Sequence, residues 1–127
     1  MPHAGEVGGP DSVRDTLWAL DADRLRHGVR AAEDRAVMRE LVDPGIVLDV
    51  CPTSNVVLGV APTIRQHPLR RLHEAGVSCS ISTDDPAPFD TNLTRECDSA
   101  SSLGLSARVM CDSGLKGTLC DENASVA

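Results

Sequence analysis

The segment Ile46 to Val50 constrains the chain more than any other. Its residues, Ile-Val-Leu-Asp-Val, are nearly continuously apolar and rich in β-branched side chains, the composition of a strand covered on both faces in a parallel sheet. The surrounding sequence must supply those covers. Upstream, Val37, Met38, Leu41 and Val42 form one apolar helical face that Asp34 can cap, and Asp43-Pro44-Gly45 supplies the turn that ends it. Downstream, Pro68 suits a first helical position, Leu69, Leu72 and Ala75 face one way, and Gly76 closes that helix. Val77, Cys79 and Ile81 then alternate with Ser78, Ser80 and Ser82, which predicts a strand with one apolar face and one small, polar face. On the same period of two, Asp84 projects with the serines.

The remaining elements fit around these. Val13, Leu17 and Leu20 recur at helical spacing between Asp11 and Leu20, where Ser12 and Asp15 resemble a capping box. Arg24 to Gly28 lies between two helical patterns, ends in Gly and reads as a short strand. Cys51 to Gly59 reads as a loop, and Leu93 to Leu103 and Ser106 to Leu119 as shorter helices before a polar, frayed end. Strand, helix, strand, helix, strand with short connections means parallel βαβ units, in an open sheet or in part of a barrel.

Composition narrows the class. The 127 residues suit a single domain, residues 1–127, and carry a net charge of -7 with only 2% aromatic content. Phosphate contacts need basic patches and base stacking needs aromatic platforms, so nucleic acid is not an expected partner. No run of about 20 apolar residues is present to span a bilayer, and the N-terminus lacks the pattern of a signal peptide. No membrane association and a cytoplasmic location are the expectations. Five cysteines, Cys51, Cys79, Cys97, Cys111 and Cys120, form no C-x-x-C pair, which points to reduced thiols rather than to a disulfide framework or a structural zinc site.

Polar residues of catalytic type recur after strands or at their ends: His3 and Glu6, then His27, then Cys51 to Asn55, then Asp84 and Asp85. The carboxyl ends of parallel strands are where α/β folds build their sites. Singly, each has an ordinary explanation: solvated surface for His3 and Glu6, a hydrogen-bonded turn residue for His27, and a cap or turn for Asp84-Asp85-Pro86.

In order, His3-Ala4-Gly5-Glu6, Arg24-Leu25-Arg26-His27-Gly28, Cys51-Pro52-Thr53-Ser54-Asn55 and Ser82-Thr83-Asp84-Asp85-Pro86 resemble the successive motifs of the adenosine deaminase family of the amidohydrolase superfamily. The resemblance runs from His3 to about Glu96, and more faintly through Leu103 to Ser106 and Gly117 to Glu122. It implies an α/β fold, a partial (β/α)₈ TIM barrel comprising roughly its last three strands with their helices, plus C-terminal helices. It also implies a purine nucleoside substrate, with adenosine deaminated hydrolytically to inosine and ammonia with the help of Zn²⁺. By the same resemblance His3 and Asp84 are zinc ligands, and Glu6 is the acid that protonates purine N1. His27 orients or deprotonates the attacking water, Gly5 lies against the substrate, and Asp85 hydrogen-bonds purine N7.

Three departures from the family pattern carry expectations of their own. No His-x-His occurs, so two further protein ligands to the metal are absent, and His67 and His73 are poorly placed to replace them. The chain opens on the motif that follows the fifth barrel strand, so nearly all of that strand is missing. Arg26 stands where Gly is usual and, pointing opposite to His27, is expected to face the helix layer. Two readings follow: part of a deaminase whose remaining half completes the site, or a catalytically inactive half-barrel that persists by associating with another chain through its exposed sheet edges.

Overall fold

The computed structural model describes residues 1–118. Strands β1 (His3–Ala4), β2 (Arg24–His27), β3 (Val47–Val50) and β4 (Ser78–Ile81) form one sheet in the order β1-β2-β3-β4, every neighbouring pair parallel. Parallel neighbours require crossovers, and helices supply them. Helix α1 (Pro10–Leu20) joins β1 to β2, and a 3₁₀ turn at Val29–Glu33 with α2 (Arg35–Val42) joins β2 to β3. Between β3 and β4 come α3 (Pro52–Val57), a 3₁₀ turn at Ile64–Gln66 and α4 (Leu69–Glu74). Helices α5 (Leu93–Ser102) and α6 (Ala107–Lys116) follow β4. A sheet whose spatial order equals its chain order, parallel at each step, is a run of consecutive strands from a (β/α)₈ barrel.

Each face of the sheet has its own cover. Leu25, Leu48 and Cys79 join a core that includes Val29, Val37, Leu41, Leu69 and Leu72 from the crossover segments. Each such aliphatic side chain stabilises the fold by about 1.5–3 kcal/mol on burial. The other face carries a polar tie. Arg24 donates from Nε and Nη2 to the two carboxylate oxygens of Asp49 at 2.9 and 2.6 Å, and from Nη1 to the carbonyls of Gly114 and Gly117, each at 2.9 Å. Those carbonyls belong to the last turn of α6, whose acceptors have no partner within the helix. The Ser80 hydroxyl also donates to Asp49.

Several expectations are met. Asp34 accepts from the backbone N–H groups of Ala36 and Val37 at the start of α2, and α5 and α6 stand in the two segments expected to be helical, where Asn92 and Ser106 turn out to be the caps. Others are corrected. Ser12 does not cap α1: Gly9 is the N-cap, and the Ser12 hydroxyl accepts from the Gly5 N–H and donates to the Gly9 carbonyl. The segment read as a loop after β3 contains α3, started by Pro52, whose missing N–H is no loss in a first turn. Ser80 is as buried as the apolar residues of β4 because Asp49 and α6 cover it. The anticipated end of the last helix at Leu119, the frayed tail and Cys120 lie outside the described residues.

Candidate active site

The carboxyl ends of β1, β2 and β3 and the segment after β4 converge on one rim. At β1 and β2 the convergence depends on two glycines. Gly5 and Gly28 have φ of +61° and +68°, and a Cβ at Gly5 would overlap Val13 and press on the Gly28 backbone. Without side chains the two turns approach closely enough for the Gly28 N–H to donate to the Ala4 carbonyl at 2.8 Å and the Arg30 N–H to the Gly5 carbonyl at 2.9 Å. The Gly5 N–H is already taken by Ser12, so Gly5 offers the rim close backbone approach rather than a free donor.

His27 lies at the centre. It is fully buried, ends β2 and has a left-handed φ of +66°, which takes its side chain out of the simple alternation of the strand. Its Nε2 is 3.4 Å from Glu6 Oε2 and 3.9 Å from Asp84 Oδ2, and its ring packs edge-on against His3 with centroids 5.2 Å apart. Two groups of potential metal donors share it: His3, Glu6 and His27 in one, His27, Cys51 and Asp84 in the other, with the donor atoms of each within 4.8 Å of one another. Among the described residues, Glu6 Oε1, His27 Nε2 and Arg26 Nε are buried polar atoms without a hydrogen-bond partner.

Electrostatics separates the two carboxylates. Burial raises the pKa of Glu6, and the neighbouring Asp84 raises it further, against a weaker lowering by His3. For Asp84 burial is the largest single influence and acts upward, but the Ser54 hydroxyl at 2.8 Å, His27 and the Arg26 guanidinium at 3.3 Å together outweigh it, so its pKa falls. Glu6 is thus biased to hold a proton while Asp84 stays ionised, a division of labour suited to acid–base work. Burial pushes the His27 pKa down to about 4, keeping the ring neutral at pH 7.

His3, Glu6, His27 and Asp84 come together, whereas Asp85 is exposed and enters neither donor group. Arg26 corrects an expectation: it reaches Asp84 across the rim instead of facing the helix layer, because its position on β2 shares a face with Arg24 and Asp49. Asp84 does meet that face, though not by strand alternation, since β4 ends at Ile81 and Asp84 has φ of +60°. His73 sits on α4, away from both donor groups. Sequence reasoning gave no role to Ser54, to Asn55 as a partner of His27, or to His67 as a partner of Asn55. Ser54 and Asn55 fall within the catalytic-type stretch Cys51 to Asn55 and its motif, but no spacing rule links residues 27, 55 and 67.

Histidines and carboxylates gathered at the carboxyl ends of consecutive parallel strands are the donor arrangement of a metal-dependent site on a barrel rim. Residues 1–125 match the adenosine deaminase family model, and the chain belongs to that family. It is 45% identical to an aminodeoxyfutalosine deaminase from Acidothermus cellulolyticus over 97% of this chain and 36% of that protein. It is 53% identical to an adenine deaminase from Rhizobium leguminosarum over 82% of this chain and 33% of that protein. The adenine deaminase of Arthrobacter aurescens superposes with a TM-score of 0.91 at 27% identity, over 98% of this chain and 39% of that one. A Zn-bound amidohydrolase from Burkholderia ambifaria superposes with a TM-score of 0.85 at 25% identity, over 98% of this chain and 36% of that one. The chain spans about a third of the length of the curated relatives it matches. Deaminases of this superfamily are metal-dependent.

Proposed function

We propose that these residues form one part of a zinc-dependent site that hydrolytically deaminates an adenine ring, in adenosine or a related adenine-containing compound, to the corresponding hypoxanthine with release of ammonia. The observation that carries this reading is the meeting of Glu6, His27 and Asp84 around buried polar atoms that lack partners. Nitrogen and carboxylate-oxygen donors suit zinc, and His3 and Asp84 are the residues that would hold it. They supply only part of a four-coordinate shell. Zinc, when bound, supplies a Lewis acid that lets water act as a nucleophile near neutral pH.

The chain's own residues perform the rest. Glu6, which burial and Asp84 make easier to protonate than an ordinary carboxylate, is the acid that delivers a proton to purine N1 as electron density builds on the ring. His27, neutral and centred between the two carboxylates, orients the attacking water. Ser54 and Arg26 keep Asp84 ionised as a metal ligand. Gly5 lets the purine approach the backbone closely, and the exposed Asp85, which accepts no hydrogen bond among the described residues, meets the substrate's N7 side. A small purine compound in the cytoplasm is the partner this reading requires. Residues 1–127 act in it as one partial deaminase-like domain.

A chimera tests the proposal. These residues replace the matching third of the Rhizobium leguminosarum adenine deaminase, and ammonia release is followed with adenine and adenosine. Zinc-dependent release that falls at least roughly 10²-fold on Glu6→Gln is expected. A folded, zinc-loaded chimera without turnover, or one indifferent to Glu6→Gln, sinks the reading.

A second reading concerns the isolated chain. β1 and β4 each pair on one side only among the described residues, leaving two open edges that invite association with another chain or a second copy. Zinc alone then produces no conversion of adenosine to inosine. Turnover by the purified chain would overturn that expectation.

A further inference from the structure

A chain of buried hydrogen bonds runs from the backbone of α4 to the ring of His27. The Leu69 N–H donates to His67 Nδ1 at 3.0 Å, His67 Nε2 meets Asn55 Oδ1 at 3.0 Å, and Asn55 Nδ2 meets His27 Nδ1 at 3.4 Å. Asn55 is fully buried and His67 very nearly so. Neither ligates a metal in either donor group, and the deaminase roles assigned above use neither.

The direction of the relay follows from its first bond. A backbone N–H is a donor that cannot be reversed, so His67 Nδ1 must present its lone pair. A neutral imidazole carries one proton, which therefore lies on His67 Nε2 and is donated to Asn55. An amide that met this donor with its NH₂ group would set donor against donor, so Asn55 must turn Oδ1 toward His67 and Nδ2 toward His27. His27 Nδ1 in turn accepts the amide hydrogen bond with its lone pair. The one proton of neutral His27 is left on Nε2, the atom that faces Glu6 and Asp84.

We infer that His67 and Asn55 are positioning residues that set the tautomer of His27, so that its Nε2 presents an N–H to the rim and not a lone pair. His27 then enters the site as a hydrogen-bond donor. It holds an oxygen atom by donation, and Nε2 cannot accept a proton from water while the relay stands. Of the two roles the family resemblance leaves open for His27, orienting and deprotonating, the relay selects orienting. That consequence rests on the deaminase reading, whereas the tautomer itself is a property of the free chain.

Imidazole ¹⁵N NMR of the zinc-free chain with labelled histidines tests the inference without any measurement of deamination. Signals of His27 are assigned by their loss in His27→Asn. In the unmodified chain His27 and His67 are expected as Nε2–H tautomers, His27 by roughly fivefold, the ratio that one hydrogen bond of about 1 kcal/mol maintains. Asn55→Asp replaces the donor with a second acceptor, so His27 should switch to the Nδ1–H form while His67 is unchanged. A packing role alone would not produce that switch. His67→Phe releases the Asn55 amide to rotate, and His27 should then populate both forms. An Nδ1–H His27 in the unmodified chain, or a His27 that stays entirely Nε2–H in either folded variant, overturns the relay. The unmodified chain alone still tests it if both variants fail to fold. A failed relay leaves the chimera's ammonia release untouched, and an inactive chimera leaves the tautomer untouched, so the two proposals fail separately.

Discussion

Two polar clusters share the same face of the sheet, and they are built on opposite terms. Toward α6, Arg24 has a partner at each of its three nitrogens, and Asp49 is met by Arg24 and Ser80. At the carboxyl ends, Glu6, Arg26 and His27 each keep a buried polar atom unbonded, and two non-glycine residues there take left-handed backbone. Buried charge is tolerable when every hydrogen-bonding group is satisfied and costly when it is not. The first cluster therefore ties α6 to the sheet, while the second retains unsatisfied groups that a ligand can use.

Removing one partner from each cluster separates them most sharply. Asp49→Ala leaves the Arg24 guanidinium buried beside helix carbonyls without its counter-ion and should cost about 3–5 kcal/mol in urea unfolding. A loss under about 1 kcal/mol, typical of an exposed pair, would show that the tie is ornamental.

Acid should attack the rim next. Burial pushes His67 down to about 4, and it does the same to His27, aided by His3 and Arg26 against the pull of Asp84. Below the ordinary histidine value near 6.5, the unfolded chain binds protons that the folded chain refuses. Stability is thus whole above that pH and is lost as the pH falls toward 4, by up to about 3 kcal/mol for each ring. Glu6 shifts the opposite way and offsets part of this loss. Urea midpoints between pH 7.5 and 4.5 should show the decline, flattened in a folded His67→Gln variant. A flat profile in the unmodified chain would contradict the burial of both rings.

Glu6→Gln should act in the contrary sense at pH 7, raising stability by up to about 1 kcal/mol, because the ionised carboxylate is partly desolvated and faces Asp84. A loss comparable to that of Asp49→Ala would erase the distinction between the clusters. The smallest effect concerns the thiols. Cys111 is exposed and Cys97 half-buried, while burial pushes Cys51 and Cys79 to about 12. A thiol reagent should label Cys111 and Cys97 and leave Cys51 and Cys79 untouched until the chain unfolds, as peptide mapping would show.

Much of this was legible in the sequence, for identifiable reasons. Apolar, β-branched residues mark β3, and Asp34 marks the start of α2, because burial and capping leave local signatures. Ordered motifs placed His3, Glu6, His27 and Asp84 in one site before any geometry was known. What escaped depends on contacts remote in sequence or on backbone that departs from the strand period. Arg26 was assigned to the helix layer because alternation was measured from His27, whose own φ breaks it. His67 stands beside Pro68 with a sequence context that says only that it is poorly placed for the metal, and only the fold brings Asn55 between it and His27. Ser12 matched a capping pattern, but Pro10 starts the helix earlier and frees its hydroxyl for Gly5.

The left-handed backbone at His27 and Asp84 also limits which donors this scaffold can ever present. At φ of +66° and +60° the conformation favours Gly, Asn, Asp and His and penalises β-branched side chains. Most exchanges of donor type at these two positions would strain the main chain before they altered any chemistry. Any attempt to retune the metal preference of the rim is therefore easier at Cys51, whose φ of -121° imposes no left-handed strain on a new donor.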